Sequence, residues 1–372
     1  METPSSKARY MKATILWLIA CMLVSAPLSA QDTALPEAEQ PGWDVFLRND
    51  EDDAGAELVF INILTGEMNS VNIAGERFSL LGNAVIYYDL DEEQVKQAAP
   101  DTSIRDHPFV NKSADMERVD WVVFGEGQTI AWTATRRGDE GSLSTWTYVS
   151  DSDGAESREV LVDGPREGVR VLPVAFSAAT NELIMEAHPD GISDYFSYTQ
   201  YAGLFSLDLV DGAVRQLPDE SGCYCAAGFG DRVLLRFPPS SRADGVDVKV
   251  YSLDGSQKMA IESAGPAGFT SPGEALVGAD DNLALYIVSQ VPAQGAATGE
   301  TRSVFVLADL QTLEQSLVSN PISGLVRKVA WTEDHGAVLF TNDQQLGTWK
   351  LRLSDGKISE VASAVYLGSL QG

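Results

Sequence analysis

Short apolar-rich runs closed by clusters of Gly, Asp, Asn and Ser recur along this chain, some of them with apolar residues at alternate positions. That period belongs to half-buried strands, since successive side chains of a strand point to opposite faces. The pattern is clearest from Gly324 to Val361, where it predicts four strands: Val326–Trp331, Ala337–Thr341, Gly347–Leu353 and Ile358–Val361. Glu333-Asp334-His335-Gly336 and Ser354-Asp355-Gly356 supply turn chemistry between them. A unit of four such strands cannot bury its own faces, so it requires neighbouring copies.

The copies are spaced by the hairpin turn that closes each unit: Thr65-Gly66, Asp153-Gly154, Asp211-Gly212, Asp254-Gly255 and Asp355-Gly356. Gly154 to Gly212 spans 58 residues and Gly212 to Gly255 spans 43, one unit each. Gly255 to Gly356 spans 101 and fits two units, with Asp309-Leu310-Gln311-Thr312 as a turn lacking glycine; Gly66 to Gly154 spans 88, again two. The hidden early unit opens at Arg77–Tyr88. Seven units result, with six as the other count the spacing admits. Trp43–Arg48 behaves as a second strand and Glu57–Ile63 as a third, while Val365–Leu370 is left over at the end. The expectation is an all-β, seven-bladed propeller over residues 43–372, in which this last strand becomes the missing inner strand of the first blade and hides the edges.

The worn turns Ser177–Asn181, Gly278–Asn282 and Thr332–Gly336, with Asp208-Leu209-Val210-Asp211-Gly212 and Ser252-Leu253-Asp254-Gly255, resemble the TolB-type, WD40-like (PD40) propeller repeat. The resemblance implies architecture rather than activity. The helical-sheet N-terminal domain of TolB is not expected, so TolB's partners are not carried over.

Residues 1–30 read as a secretory signal: Lys12, the apolar run Ala13–Val24, and small residues to Ala30. Leu18-Ile19-Ala20-Cys21 also resembles a lipobox, which would anchor the chain through Cys21. Residues 31–42 form a Pro/Glu linker. No later apolar stretch is long enough to span a bilayer. The expected location is therefore the periplasm or the medium. The formal net charge of −28 becomes −30 once the signal's three bases and one acid are removed, which argues against nucleic acid as a partner.

Length and chemistry vary mainly in the loops between second and third strands and between blades, which share one face. His188–Tyr201 is the richest, carrying His188, Asp190, Asp194, Tyr195, Phe196 and Tyr198, with Arg136 and Arg137 on a neighbouring loop of the same face. This mixture suits a protein or glycan ligand of the cell envelope. The expected function is a non-enzymatic binding module using that face. One alternative is a propeller hydrolase or lyase acting on carbohydrate or peptide, with acids such as Asp50, Asp190 and Asp194 converging over the channel; another is an envelope assembly subunit anchored by lipid. No Gly-x-Ser-x-Gly elbow, phosphate loop or His-Glu-x-x-His motif occurs, and the three histidines fall in separate blades.

The acids Asp50–Asp53 and Asp89–Glu93 offer oxygen ligands for calcium, but their spacing does not reproduce a calcium loop, and no cofactor is expected. Gln94–Ala99 has helical composition and predicts a helical insertion on the long-loop face. Cys223 and Cys225 share a strand face; the spacing leaves open free thiols, a strained disulfide or a soft-metal pair.

Overall fold

The computed structural model describes residues 42–371 apart from 50–54, 126, 192–197, 219–222, 239–244, 257, 263–264 and 293–299. They form seven antiparallel sheets in a ring, each a meander of four strands. Blade 2 is Gly75–Leu81, Ala84–Asp89, Gln94–Ala98 and Ile104–Asp106; blade 3 is Arg118–Phe124, Thr129–Arg137, Ser142–Asp151 and Arg158–Glu167. Blade 4 is Val169–Ser177, Glu182–Pro189, Phe205–Asp208 and Val214–Gln216; blade 5 is Ala226–Phe229, Val233–Phe237, Asp247–Ser252 and Lys258–Glu262. Blade 6 is Ser271–Val277, Leu283–Gln290, Arg302–Asp309 and Gln315–Leu317, with Ile322–Ser323 added beside the third strand. Blade 7 is Val326–Trp331, Ala337–Asn342, Gln345–Arg352 and Ile358–Ala362.

Blade 1 joins the two ends of the ring, in the order Val365–Leu370, Trp43–Asn49, Ala56–Asn62, Met68–Ile73. The inner strand comes from the end of the chain, as the repeat count implies.

The core is divided among the gaps between blades. Val85 and Tyr87 pack with Val45, Leu58 and Phe60 of blade 1, whereas Ile86 packs with Ile130 and Trp132 of blade 3. Alternate side chains of one strand thus serve both neighbours, which is why these strands read as unbroken apolar runs. The same division separates Leu183 and Met185 from Ile184 in blade 4, and Leu285 and Ile287 from Tyr286 and Val288 in blade 6. Each fully buried Leu, Ile or Val contributes about 1.5–3 kcal/mol, so the blades are held by their neighbours rather than individually.

The five ruler glycines, Gly66, Gly154, Gly212, Gly255 and Gly356, all have φ between 69° and 83°, the left-handed geometry their hairpins require. In blade 6 Leu313 takes that position without glycine, at φ 62°. The helical insertion expected at Gln94–Ala99 is absent. Gln94–Ala98 is the third strand of blade 2, paired Val85 to Ala98 and Tyr88 to Val95, with both Val95 and Ala98 buried. Two sheet neighbours and a buried face outweigh a weak local helix preference.

Candidate functional site

Each blade has four antiparallel strands, so all inner strands begin at the same end of the channel, the end that also carries the loops joining second to third strands. In four of the seven blades the inner strand places an arginine within its first three residues: Arg77, Arg118, Arg170 and Arg327. Each is unremarkable alone; their recurrence near the start of an inner strand is the signal the sequence offers.

Three of these arginines, Arg118, Arg170 and Arg327, line a pocket of about 250 Å³. Blade 4 adds Leu172 from its inner strand and Glu186 and His188 from its second strand. Tyr198, Thr199 and Gln200 close one side, and Tyr224, just before the inner strand of blade 5, another. A larger cavity of about 750 Å³ lies between the inner strands of blades 7, 1, 2 and 3 and reaches the short-loop face at Gly127 and Glu333. Its walls include Trp121, Phe124, Trp331 and Leu367, and it gathers far fewer charged groups.

Within the smaller pocket, His188 and Glu186 stand two residues apart on one strand face, with Nδ1 3.3 Å from Glu186 Oε1. Glu186 Oε1 also accepts the Ala202 N–H at 3.0 Å. His188 is 5% exposed, and among the described residues neither its Nε2 nor the buried Nε of Arg170 has a hydrogen-bond partner. Arg118 Nε donates to both Asp120 carboxylate oxygens, at 2.7 and 2.9 Å.

Beneath the pocket wall, Arg236 is fully buried and donates to the carbonyls of Cys225 and Tyr201 at 3.3 and 3.1 Å. Burial, and then the carboxylates of Glu274 and Glu186, pushes the Tyr201 hydroxyl up. Burial likewise pushes the Glu274 carboxyl up, although Thr199 Oγ1 donates to it at 3.3 Å.

Several residues singled out from sequence meet here. His188 lies not in a loop but in the second strand of blade 4, and it lines the pocket together with Tyr198. Asp190 receives Arg137 Nη2 at 3.0 Å and lies 3.8 Å from Arg170 Nη1, so it braces the pocket's rim. Arg137 also binds Glu117 through two hydrogen bonds of 2.7 and 2.9 Å. Arg136 is apart from them, stacked 4.8 Å from the Trp146 ring and 3.5 Å from Asp115. Asp194, Tyr195 and Phe196 lie outside the described residues, as do Asp50–Asp53 and Cys21.

The acids after Tyr88 are engaged locally: Lys96 pairs with Glu92 at 2.5 Å and Asp89 at 3.7 Å, and Lys112 with Glu93 at 3.5 Å. Among the described residues no group of three His, Cys, Asp or Glu side chains is placed to hold a metal ion. Cys223 and Cys225 are joined as a disulfide, Cα to Cα 5.5 Å, on either side of Tyr224. His107 is buried against Phe109 in blade 2, remote from the pocket, and His335 lies in a short hairpin turn of blade 7.

No protein-family model matches this chain, and no curated protein matches it. Solved structures resemble it in fold. The structure described as two prolyl endopeptidases aligns at 10% identity and a TM-score of 0.61, covering 90% of this chain and 49% of that one. An oligogalacturonate lyase in complex with manganese aligns at 12% identity and 0.52, covering 77% and 80%. The propeller domain of the Trilobed protease from Pyrococcus furiosus aligns at 11% identity and 0.50, covering 87% and 97%. At these identities the likeness is one of fold. The chain spans about half the length of the endopeptidase chain.

Proposed function

We propose that the protein is an exported, non-enzymatic binding module of the periplasm or cell envelope, taking a protein or glycan ligand on its long-loop face. The observation that supports this reading is convergence: side chains from blades 3, 4, 5 and 7 line one pocket at the channel mouth. Ligand sites are concave places where a few polar groups from separate elements meet. The repeat itself resembles the TolB type, and a binding role suits an architecture whose loops vary mainly on one face.

The test is affinity capture from the source organism's envelope extract, with the mature protein and a Tyr198→Ala/Tyr224→Ala variant as baits. A component retained by the first bait and lost with the second is the expected result. Equal retention, or none by either, overturns the reading. Intact-mass analysis of the native protein is expected to find an unmodified chain beginning at Gln31; a lipidated Cys21 would instead make it an anchored subunit.

A second reading rests on the His188–Glu186 pair. A carboxylate beside Nδ1 of a histidine that lines a pocket is the pairing a general base uses, which would suit a lyase or hydrolase acting on carbohydrate or peptide. Cleavage of an envelope glycan or peptide pool, abolished by His188→Ala, would replace the binding reading with this one.

A further inference from the structure

We propose that the channel-mouth pocket binds a small hydroxylated carboxylate of the sugar-acid class, its carboxylate held by the arginines and a hydroxyl donated to His188; this rests on the binding reading above and names its ligand.

The charge balance comes first. Three guanidinium groups, Arg118, Arg170 and Arg327, line the pocket with the carboxylate of Glu186, while Asp120 binds Arg118 and Asp190 stands 3.8 Å from Arg170. A guanidinium presents its donors in a planar fork that matches a carboxylate. Arg170 is the most committed of the three. Its side chain is 11% exposed, its Nε has no partner among the described residues, and Asp190, 3.8 Å from its Nη1, is also bound to Arg137. A ligand oxyanion supplies the acceptor that this buried donor lacks.

His188 sets the second requirement. In the tautomer whose Nδ1 hydrogen is directed at Glu186 Oε1, Nε2 carries the lone pair and accepts. Among the described residues that buried atom has no partner, and the side chain that carries it lines the pocket. It calls for a donor, and an anion alone has none, so the ligand carries a hydroxyl beside its carboxylate.

Size and walls narrow the class. A pocket of about 250 Å³ falls just below the range of about 300–1,000 Å³ typical for drug-sized ligands, so it admits one ring or a short chain. Tyr198, Tyr224 and Leu172 give that ring apolar faces to lie against, while Thr199 and Gln200 add polar contacts at one side.

The experiment is isothermal titration of the mature protein with sodium glucuronate, and with glucose, cyclohexanecarboxylate and sodium chloride as comparators at matched ionic strength. Saturable binding of glucuronate is expected, at least about tenfold tighter than either organic comparator, with chloride silent. Arg170→Gln weakens glucuronate about tenfold or more. His188→Phe removes the preference for glucuronate over cyclohexanecarboxylate while keeping the preference for an acid over glucose. Arg352→Gln, in an exposed hairpin pair with Asp355 on blade 7, leaves both unchanged. Each variant is first matched to the parent in circular dichroism and melting temperature, and Arg170→Lys serves where Arg170→Gln does not fold.

No glucuronate binding by folded protein, binding no tighter than glucose, or binding indifferent to Arg170 and His188 overturns the proposal. If glucuronate fails while capture still depends on Tyr198 and Tyr224, the ligand class is wrong and the binding module stands. If both fail, the binding reading falls with it.

Discussion

Trp43 stands directly across from Leu370 in antiparallel register, so residues from the two ends of the chain share blade 1. Leu370 is 2% exposed and packs with Val45, Leu47 and Val85, which ties the closing strand to both blade 1 and blade 2. Leu370→Asp therefore removes a buried apolar side chain and leaves an unpaired charge in its place. A loss of about 3–5 kcal/mol is expected in urea unfolding, against less than about 0.5 kcal/mol for Val361→Asp on an exposed outer strand. A small effect at Leu370 would show that the ring does not depend on this closure.

His107 couples blade 2 to pH. Its Nδ1 accepts the Val110 N–H at 3.0 Å, and burial, then Arg105, pushes its pKa down to about 4. In the unfolded chain the ring titrates near 6.5, so between those values the unfolded state binds more protons. The neutral ring's contribution is complete above about pH 6.5 and is lost as pH falls towards 4. The loss by pH 4.5 is about 2–3 kcal/mol. Comparing His107→Gln with the parent in urea at pH 7.5 and 4.5 isolates it: the stability gap should narrow by that amount at the lower pH. A constant gap would mean that His107 is not held neutral.

The turns and the closing strand were legible because their information is local. An Asp-Gly pair announces a left-handed turn wherever it falls, and the turn residues that flank Val326–Trp331 and Ile358–Val361 set the strand limits to within a residue. Gln94–Ala98 was not legible, because its strand character comes from pairing with Ala84–Asp89 and not from its own composition. The pocket lies between these extremes. Tyr198 and His188 stood out through the richness of one loop, but Arg170 and Arg327 are 157 positions apart and meet only through ring closure. His188 reads as the first residue of that loop, whereas the strand runs on through Pro189, which pairs with Val169 at its end.

Glu274 offers a pH test of the opposite sign. Burial raises its carboxyl pKa, so the unfolded chain releases this proton at a lower pH than the folded one. Stability is thereby withdrawn as pH rises from the unfolded value through the folded one. Glu274→Gln keeps the shape and removes that titration, so the variant should gain on the parent between pH 4 and pH 7.5. A variant that instead loses ground at pH 7.5 would show that the ionised carboxylate is held by partners stronger than the Thr199 hydroxyl.

The Cys223–Cys225 bridge closes a loop of a single intervening residue, and that residue, Tyr224, forms one wall of the pocket. Closing so short a loop removes little freedom from the unfolded chain, so Cys223→Ser/Cys225→Ser should cost no more than about 2 kcal/mol of stability. The effect on the site is expected to be larger than the effect on the fold. Cys225 is anchored through backbone hydrogen bonds with Tyr201 at 2.9 and 3.2 Å, whereas Cys223 is linked to it through the bridge, so the bridge fixes where the Tyr224 ring stands, 6.2 Å from that of His188. Glucuronate titration before and after reduction, with thiols counted in parallel, should show binding weakened several-fold while the melting temperature shifts by only a few degrees. Equal losses in both would make the bridge a structural staple of blade 5 with no special bearing on the pocket.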